Sequence, residues 1–393
     1  MLLNKKRLAF IIPSADLGGG IYIVFEHAVR LTRRGHFEIY LVIDKKPNKE
    51  DLRWYPDANE LEWLNFFEAE KIVFDAVIST WWLTCYQAYR LNSKAYIYFN
   101  QSVESKFYKP ENILDRKYAE STYFLSMKVI TEATWIKEYL DCNYGICAEL
   151  VLNGIRKDVF TLDGLAVASR APSRLRVLIE GPLGIHFKNT EKAIELSLRS
   201  DADEVWLLTT SDIDKYKGVD RVFSQVPIFE TPTIYRSCDV IVKLSYVEGM
   251  FGPPLEMFHC GGTAIVYDVT GHDEYIKNNY NAYVVETDDE NKVIELINKL
   301  KEDPDELLRL KRGAVETAAN WYDWEAASVE FEKALERLCE AKHIGQAQLK
   351  NKTIHFKDWY EYYNFIHWQI RGYRGIKKLF KEFIKQIIAF IVR

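Results

Sequence analysis

The chain has 393 residues, of which 48% are hydrophobic and 28% are charged, a balance typical of a folded globular protein. This length suffices for two domains of ordinary size, and the formal net charge of −5 gives no reason to expect nucleic acid as a partner. No apolar run approaches the roughly 20 residues that a helix needs to span a bilayer.

The cysteines and the amino terminus indicate a cytoplasmic protein. None of the six cysteines forms a C-x-x-C pair, and several lie in apolar runs. This usage predicts reduced core residues and argues against a disulfide framework or a zinc site. Met1 is followed by Leu-Leu-Asn-Lys-Lys-Arg and then an apolar run, which is not the pattern of a signal peptide.

The first predicted unit is a strand, a glycine-rich loop, a helix and a second strand. Residues 8–13 form an apolar run, residues 16–20 the loop, residues 21–34 a helical pattern and residues 38–43 the next strand. This order opens a doubly wound parallel sheet. A dinucleotide-binding fingerprint would need a third glycine at the G-x-G-x-x-G spacing, which Gly18-Gly19-Gly20 lacks. The glycines then form either a tight turn or a loop beside a ligand.

A polar and aromatic segment leaves the end of a later strand. Strands are predicted at residues 75–79 and 95–99, with a helix over residues 80–90 between them. The second strand leads into Asn100, Gln101 and Glu104. Ligands of doubly wound sheets sit beyond the carboxyl ends of the strands, so these three residues are predicted to line a cleft. A capped surface loop is the alternative.

The rest of the chain continues the alternation. Helices are predicted at residues 118–126 and 134–141 and a strand at 127–131; residues 149–155, with a turn signal at Asn153-Gly154, end the first domain, and a linker follows at 156–174. From residue 175, strands are predicted at 175–179, 205–208, 226–229, 240–244, 263–269 and 282–285. Helices are predicted to begin at residues 190 and 253 and to cover residues 291–300, 305–320 and 323–341.

The unit at residues 240–269 is the most informative stretch. It reads as a buried strand, a loop, a helix that starts at Pro253, and a second buried strand. A helix N-terminus suits a diphosphate, and Gly249 and Gly252 allow a ligand to approach the backbone closely. Glu248 and Glu256 flank the loop and could accept hydrogen bonds from sugar hydroxyls. Among 57 acidic residues such a spacing is common by chance, so the position between buried strands carries the inference.

These residues resemble the retaining nucleotide-sugar glycosyltransferases of the GT-B fold, family 4, also called glycosyltransferase group 1. That pattern is an aliphatic strand, Ser, two residues, Glu-Gly-Phe-Gly-x-Pro-x-x-Glu, a helix, Gly and a strand. The matching residues are Ser245, Glu248, Gly249, Pro253, Leu255 and Glu256. The Phe-Gly pair, Phe251-Gly252, stands one place late, and Pro254 removes a further backbone donor.

The resemblance implies roles for individual residues. Glu248 and Lys188 would be catalytic, with Glu248 at the donor sugar and Lys188 at the donor diphosphate. The arginine that often begins the loop before Lys188 is absent, and Gly181-Pro182 stand there. Glu256 would hold the ribose. The remaining donor-binding residues would be Gly249, Phe251, Gly252, Leu255, Gly19 and Gly20. No metal and no cofactor besides the nucleotide-sugar donor is implied, since nothing resembles an Asp-x-Asp metal site.

The acceptor side carries a second resemblance. Gln101, Glu104, Phe107 and Tyr108 resemble the Gln-Asp-Tyr-Glu…Phe-Tyr stretch of bacterial rhamnosyltransferases that build surface glycans, and Asn100, Gln101 and Glu104 are placed on the acceptor side. The implied reaction moves rhamnose or another hexose, with retention, to a glycan or lipid-linked glycan. A GT-B epimerase or phosphorylase, or a non-catalytic membrane-bound scaffold, are the alternatives.

The last residues differ in composition from the rest. Aromatic side chains recur between residues 359 and 373, and apolar residues at 376–391 repeat at helical spacing opposite lysines. Residues 371–393 hold seven basic residues and one acidic residue. This pattern predicts an interfacial helix on an anionic membrane, at the inner face of the cell membrane. A helix docked on protein is the alternative.

The predicted fold class is α/β, with two Rossmann-like doubly wound domains facing a cleft (GT-B) and a C-terminal amphipathic helical tail. The predicted parts are an acceptor domain at residues 1–155, the linker at 156–174, a nucleotide-sugar donor domain at 175–320, crossover helices at 321–350, and a membrane-associating tail at 351–393.

Overall fold

The computed structural model describes residues 5–366, and the predicted apolar face at residues 376–391 lies outside them. The strands are β1 Lys6–Ile11, β2 Phe37–Ile43, β3 Glu62–Asn65, β4 Val73–Ser79, β5 Asn92–Asn100, β6 Lys128–Thr131, β7 Glu149–Leu150, β8 Arg176–Glu180, β9 Glu204–Thr209, β10 Arg221–Ser224, β11 Val240–Lys243, β12 Thr263–Tyr267 and β13 Tyr283–Val285. The helices are α1 Gly19–Arg34, α2 Phe66–Ala69, α3 Trp82–Cys85, α4 Ile113–Glu120, α5 Thr134–Tyr144, α6 Thr190–Leu198, α7 Thr231–Tyr235, α8 Gly252–His259, α9 Glu290–Glu302, α10 Pro304–Ala319 and α11 Trp324–Glu340.

Over residues 5–366 the strands form two parallel sheets. The first sheet has the order β3-β2-β1-β4-β5-β6-β7, and the second has the order β10-β9-β8-β11-β12-β13. Each order reverses direction beside its first strand, which is the topology of a doubly wound sheet with helices on both faces. The first sheet with its helices is called the first domain here, and the second sheet with its helices the second domain.

The central strands are apolar on both faces because each sheet separates two layers of core. In β1, Leu8 and Phe10 pack into one cluster with α1, while Ala9 and Ile11 pack into the cluster on the opposite face. Alternate side chains of a strand point to opposite faces, so a strand covered on both sides reads as a continuous apolar run. This explains why these strands were predictable.

The chain returns to the first domain after α10. The N–H of Ile155 donates to the carbonyl of Tyr322 at 3.1 Å, which joins the end of the first domain to the crossover. Beyond it, Trp324 and Phe331 of α11 lie in the same core cluster as Phe10. The indole of Trp324 donates to the hydroxyl of Tyr22 at 3.0 Å. The two domains are therefore joined through two connections, at the linker and at the crossover.

Several predicted elements are corrected by the structure. The helix expected at residues 80–90 is only the single turn α3, followed by a short 3-10 turn. The helix expected at residues 118–126 begins earlier, as α4, and continues as a 3-10 turn. Residues 226–229 are not a strand, because Pro227 has no N–H for a sheet and its carbonyl accepts from Glu230 in a turn. The edge strands β3 and β10 were missed because their side chains are partly exposed and lack a continuous apolar run.

The cysteines and the tail also differ in part from expectation. Every cysteine is unpaired, but Cys142 and Cys147 are exposed rather than in the core, since they lie at the polar end of α5 and in the turn after it. Residues 346–366 form a helix that packs on the first domain through Phe356 and Tyr360. Its last turns expose further aromatic side chains: Tyr362, Tyr363 and Phe365. Within the described residues, no helix has both the length and the apolar character needed to cross a bilayer.

Candidate active site

A cleft of about 470 Å³ lies where the carboxyl ends of the two sheets face each other. Its walls are the residues that directly follow strands, including Thr80 after β4, Gln101 after β5, Glu132 after β6 and Thr210 after β9. Side chains that are distant in sequence meet there because parallel strands all end at the same edge of a sheet. The sequence-predicted residues that line the cleft are Gly19, Gly20, Gln101, Glu104, Lys188, Glu248, Gly249, Gly252 and Glu256.

Three charged residues form the centre of the second-domain wall. The Lys188 Nζ donates to Glu248 Oε2 at 2.8 Å, and Lys243 Nζ lies 3.9 Å from Glu248 Oε1. Lys243 also donates to Glu180 Oε2 at 2.5 Å. Burial alone would raise the pKa of Glu248, but the two ammonium groups outweigh it and hold the pKa below its ordinary value. Glu248 is therefore an ionised carboxylate between two cations.

Glu256 has the opposite electrostatic environment. It lies on the first turns of α8 and lines the cleft near Tyr235. Burial raises its pKa to about 7, Glu180 adds to that rise, and Tyr235 and Lys243 offset part of it. The two glutamates that the sequence pairs thus differ in charge state, since one is held ionised and the other is close to half protonated at neutral pH.

The start of α8 offers fewer backbone donors than a usual helix N-terminus. The N–H of Gly252 is already donated to the carbonyl of Met250 at 3.0 Å, and Pro253 and Pro254 have none. No side chain caps this end. An anion bound here would depend on the side chain of Lys188 more than on the helix N–H groups, which weakens the expectation that this helix start would hold a diphosphate.

The turn at residues 248–250 contacts both domains. The Met250 N–H donates to Glu132 Oε1 at 3.1 Å, and the Trp135 indole donates to the Gly249 carbonyl at 2.9 Å. A Cβ at Gly249 would lie 2.0 Å from the carbonyl oxygen of Gln101, so only glycine fits between the domains. From the sequence, a glycine was expected here to allow a ligand close to the backbone. The structure adds a second reason, which is close contact with the first domain.

The first-domain wall combines carboxyl groups with aromatic rings. Glu104 is 2% exposed, accepts a hydrogen bond from Tyr98, and has a pKa raised to about 8 by burial. The rings of Trp81 and Phe107 stack with centroids 5.8 Å apart, and Phe187 of the second domain stacks on Phe107 at 4.4 Å. The stack closes one side of the cleft across the domain boundary.

Three predicted site residues do not present their side chains to the cleft. Phe251 and Leu255 are fully buried in the core of the second domain, so only their backbone could reach a ligand. Asn100 is fully buried and donates to the carbonyl of Ser102 at 2.8 Å, which makes it a support of the loop after β5.

Three further residues of the cleft were missed from the sequence. Lys243 stands at the end of an apolar strand, and a lysine in such a run is itself a signal, because a buried lysine needs a partner. Glu180 is the last residue of β8 and Glu132 directly follows β6, and side chains at these strand ends line the cleft. Burial raises the pKa of Glu132 to about 7, which Asn153 and the Met250 N–H partly offset. Over residues 5–366 no group of three or more His, Cys, Asp or Glu is arranged to hold a metal ion.

Comparison with known proteins agrees with this architecture. Residues 218–317 match the family model described as "Glycosyl transferases group 1". No curated protein sequence matches the chain. Sucrose-phosphate synthase from Thermosynechococcus elongatus is 18% identical, with 85% of this chain and 99% of that chain covered and a TM-score of 0.68. Anabaena HepE in complex with UDP-glucose is 13% identical, with 84% and 100% covered and a TM-score of 0.67. Staphylococcus aureus TarM, in a complex that includes UDP, is 10% identical, with 86% and 100% covered and a TM-score of 0.67. The described chain therefore has the GT-B fold, and residues 218–317 of its second domain are similar to the group 1 glycosyltransferase model.

Proposed function

We propose that this protein is a glycosyltransferase that moves a hexose from a nucleoside-diphosphate sugar to a hydroxyl group of a glycan or lipid-linked glycan. The observation that carries the proposal is the ionised Glu248 between Lys188 and Lys243, at the centre of the interdomain cleft. Its position on the strand-loop-helix unit of the group 1 segment supports the assignment. The UDP-glucose complex of the structurally similar HepE supports a nucleotide-sugar donor.

The donor would bind mainly to the second domain. Lys188 is a quarter exposed and can turn from Glu248 to a phosphate oxygen, where a point charge is effective. Glu248, released from that contact, would accept hydrogen bonds from hydroxyls of the donor sugar and stay balanced by Lys243. Glu256 would accept from the ribose hydroxyls. The residues used are those that the sequence resemblance assigns, together with Lys243.

The reaction follows from these contacts. The bond between the anomeric carbon and the diphosphate breaks, and Lys188 stabilises the negative charge that develops on the leaving oxygen. The acceptor hydroxyl forms the new bond on the same face of the sugar, and its proton passes to the departing diphosphate. We propose retention because the family that the sequence resembles is a retaining one. No step of this scheme needs a metal ion, so EDTA should leave turnover unchanged, and an enzyme restored only by magnesium would contradict it.

The proposal is tested first by binding and then by turnover. Nucleoside diphosphates and their sugars are screened by thermal shift, where a ligand at 100 times its Kd stabilises by about 2.7 kcal/mol. The donor that binds is then incubated with glycan acceptors, and the anomeric configuration of the product is read by NMR. Failure of every nucleotide to stabilise the protein would refute the assignment. Inversion would refute retention alone, and donor turnover to an isomer without acceptor would favour an epimerase.

We further propose that the enzyme acts in bacterial surface polysaccharide synthesis, with rhamnose as one candidate sugar, while attached to the inner face of the membrane. The sequence of residues 371–393, with seven basic residues, supports attachment to anionic lipid. Removal of the residues after Gly375 should release the protein from anionic liposomes and leave donor binding unchanged. Equal sedimentation of the full and shortened chains would contradict this location.

A further inference from the structure

The first-domain wall of the cleft carries buried hydrogen-bond acceptors that have no partner. Among the described residues that line the cleft, these first-domain atoms are Gln101 Oε1, Ser102 Oγ, Glu104 Oε1, Glu132 Oε2 and Asn153 Oδ1. Ser102, Glu132 and Asn153 are only 4%, 2% and 2% exposed. Buried polar atoms are nearly always hydrogen-bonded, since an unpaired one costs about 1–3 kcal/mol. Such a concentration in one wall indicates a ligand that donates several hydrogen bonds.

The same wall has no positive side chain. Of the described residues that line the cleft, the cations are Lys188 and Lys243, both in the second domain and both paired with glutamates. The first domain contributes the carboxyl groups of Glu104 and Glu132 and no lysine, arginine or histidine. A phosphate or carboxylate placed against this wall would face acceptor oxygens, with no cation among the described first-domain residues that line the cleft.

The third feature is the aromatic stack at the mouth of this wall. Trp81 and Phe107 lie nearly parallel, at an interplanar angle of 15°, and they line the cleft together with Gln101 and Ser102. The ring faces within this stack cover one another, and Phe187 also packs on Phe107, so the stack adds apolar surface to the wall through its edges and its outer face, next to hydrogen-bond acceptors. A pyranose ring has the matching combination, with an apolar C–H face and hydroxyl donors around its edge.

We infer that the first-domain wall is an acceptor site for an uncharged sugar, and that Glu132 Oε2 accepts a hydrogen bond from one of its hydroxyls. The inference rests on the proposed function and narrows its substrate class, because it places no phosphate or acid group on the acceptor unit that enters the cleft. The other oxygen of Glu132 stays on the Met250 N–H, at 3.1 Å. One carboxyl group therefore binds the acceptor and holds the turn that carries Glu248.

The test measures how well the full-length enzyme uses matched pairs of neutral and charged acceptors. The donor is the nucleotide sugar that binds in the thermal-shift screen. The acceptors are p-nitrophenyl glucoside, galactoside and rhamnoside, with p-nitrophenyl glucuronide, galacturonide and glucoside 6-phosphate as charged partners. Product is measured by mass spectrometry and nucleotide release. The neutral glycosides should be extended with a kcat/KM at least about tenfold above that of the charged partners.

The possible outcomes distinguish failure of the acceptor inference from failure of the proposed glycosyltransferase function. Equal or better use of the charged partners would overturn the inference while leaving the glycosyltransferase assignment intact. Donor hydrolysis without extension of any neutral glycoside would also overturn it. Absence of both donor binding and hydrolysis would instead refute the proposed function.

The role of Glu132 is tested by Glu132→Gln, which keeps the size of the side chain and an oxygen for the Met250 N–H. Because the amide oxygen stays on the Met250 N–H, the NH2 donor takes the place of the acceptor Oε2, and the acceptor KM should rise about tenfold or more while the KM for donor hydrolysis without acceptor changes little. Glu138→Gln, on the exposed face of α5, is the matched control and should behave as the native enzyme. A Glu132→Gln variant with an unchanged acceptor KM, or with equal losses for donor and acceptor, would show that Glu132 only supports the turn.

Discussion

Substitution of Gly249 by alanine tests whether the two domains are in contact at this turn while the reaction takes place. The added Cβ would lie 2.0 Å from the carbonyl oxygen of Gln101 and 2.8 Å from Glu132 Oε1. Real Cβ atoms essentially never approach another heavy atom within 3.0 Å, so the turn and the loop after β5 must separate by about 1 Å. The position of the Cβ is fixed by the backbone of residue 249 and its nearest neighbour is a backbone oxygen, so no side-chain rotation relieves the clash.

The expected loss of activity follows from that displacement. The turn carries Glu248, and a shift of about 1 Å in a reacting group can cost on the order of a hundredfold in rate. Nucleotide affinity should fall much less, because the proposed donor contacts of Lys188 and Glu256 belong to one domain. The assay measures kcat with saturating donor and acceptor, with nucleotide Kd by calorimetry on the same preparation.

The matched control is Gly345→Ala, where a Cβ would meet no atom within 4 Å. It introduces the same methyl group in a loop remote from the cleft, and it should leave kcat and Kd unchanged. A Gly249→Ala enzyme with native kcat would refute the reasoning, since it would mean that the domains do not meet in this way during the reaction.

The remaining predictions concern charge. Lys188→Met should lower kcat far more than it lowers Tm. Lys243→Met, at a site only 3% exposed, should lower the free energy of unfolding by about 3–5 kcal/mol, because it leaves Glu180 unpaired. Equal Tm values for the two variants would contradict this. Glu256→Gln should weaken nucleoside-diphosphate binding by roughly 1.5–3 kcal/mol in calorimetry, and unchanged affinity would remove it from the ribose site. Glu104 has a pKa of about 8 in the fold against 4.5 ordinarily, so the folded state holds a proton that the unfolded chain has released, and native stability should fall as pH rises through that window. Denaturant unfolding of Glu104→Gln should show a smaller fall, and parallel pH profiles would contradict the burial of this carboxyl.

The sheet cores could be predicted from the sequence because burial on two faces leaves an unbroken apolar run. The strands β1, β4, β5, β8, β11 and β12 are of this kind. The edge strands could not, since β3 and β10 are short and partly exposed, and their pairing is decided by neighbours rather than by composition. At the start of α3 the hydroxyl of Thr84 accepts hydrogen bonds from the N–H groups of Thr80 and Trp81, a local capping contact that no periodicity reveals.

Cleft residues that are close in sequence could be predicted, whereas contacts between residues that are distant in sequence could not. Glu248, Gly249 and Glu256 share one strand-loop-helix unit, so their spacing carried the signal. The salt bridge of Glu248 with Lys188 spans 60 residues, and the hydrogen bond of Met250 with Glu132 spans 118. The first pair depends on which strand ends of the second sheet lie side by side, and the second depends on the relative position of the two domains; a single sequence without variation among relatives encodes neither in a readable pattern.

The arrangement of charges explains how the proposed diphosphate site can remain stable when it is empty. Lys188 alone would be an unpaired cation, and Glu248, at 6% exposed, would be a buried unpaired anion. Their salt bridge removes both penalties, and Lys243 would keep Glu248 balanced if Lys188 turned to a phosphate. The first-domain wall has no such ion pair, and burial raises the pKa of Glu132 to about 7 and that of Glu104 to about 8. The two proposed subsites therefore differ, because the donor side would move a cation from a carboxylate to the ligand, whereas the acceptor side would bind hydroxyl groups through oxygen atoms that have no partner in the fold.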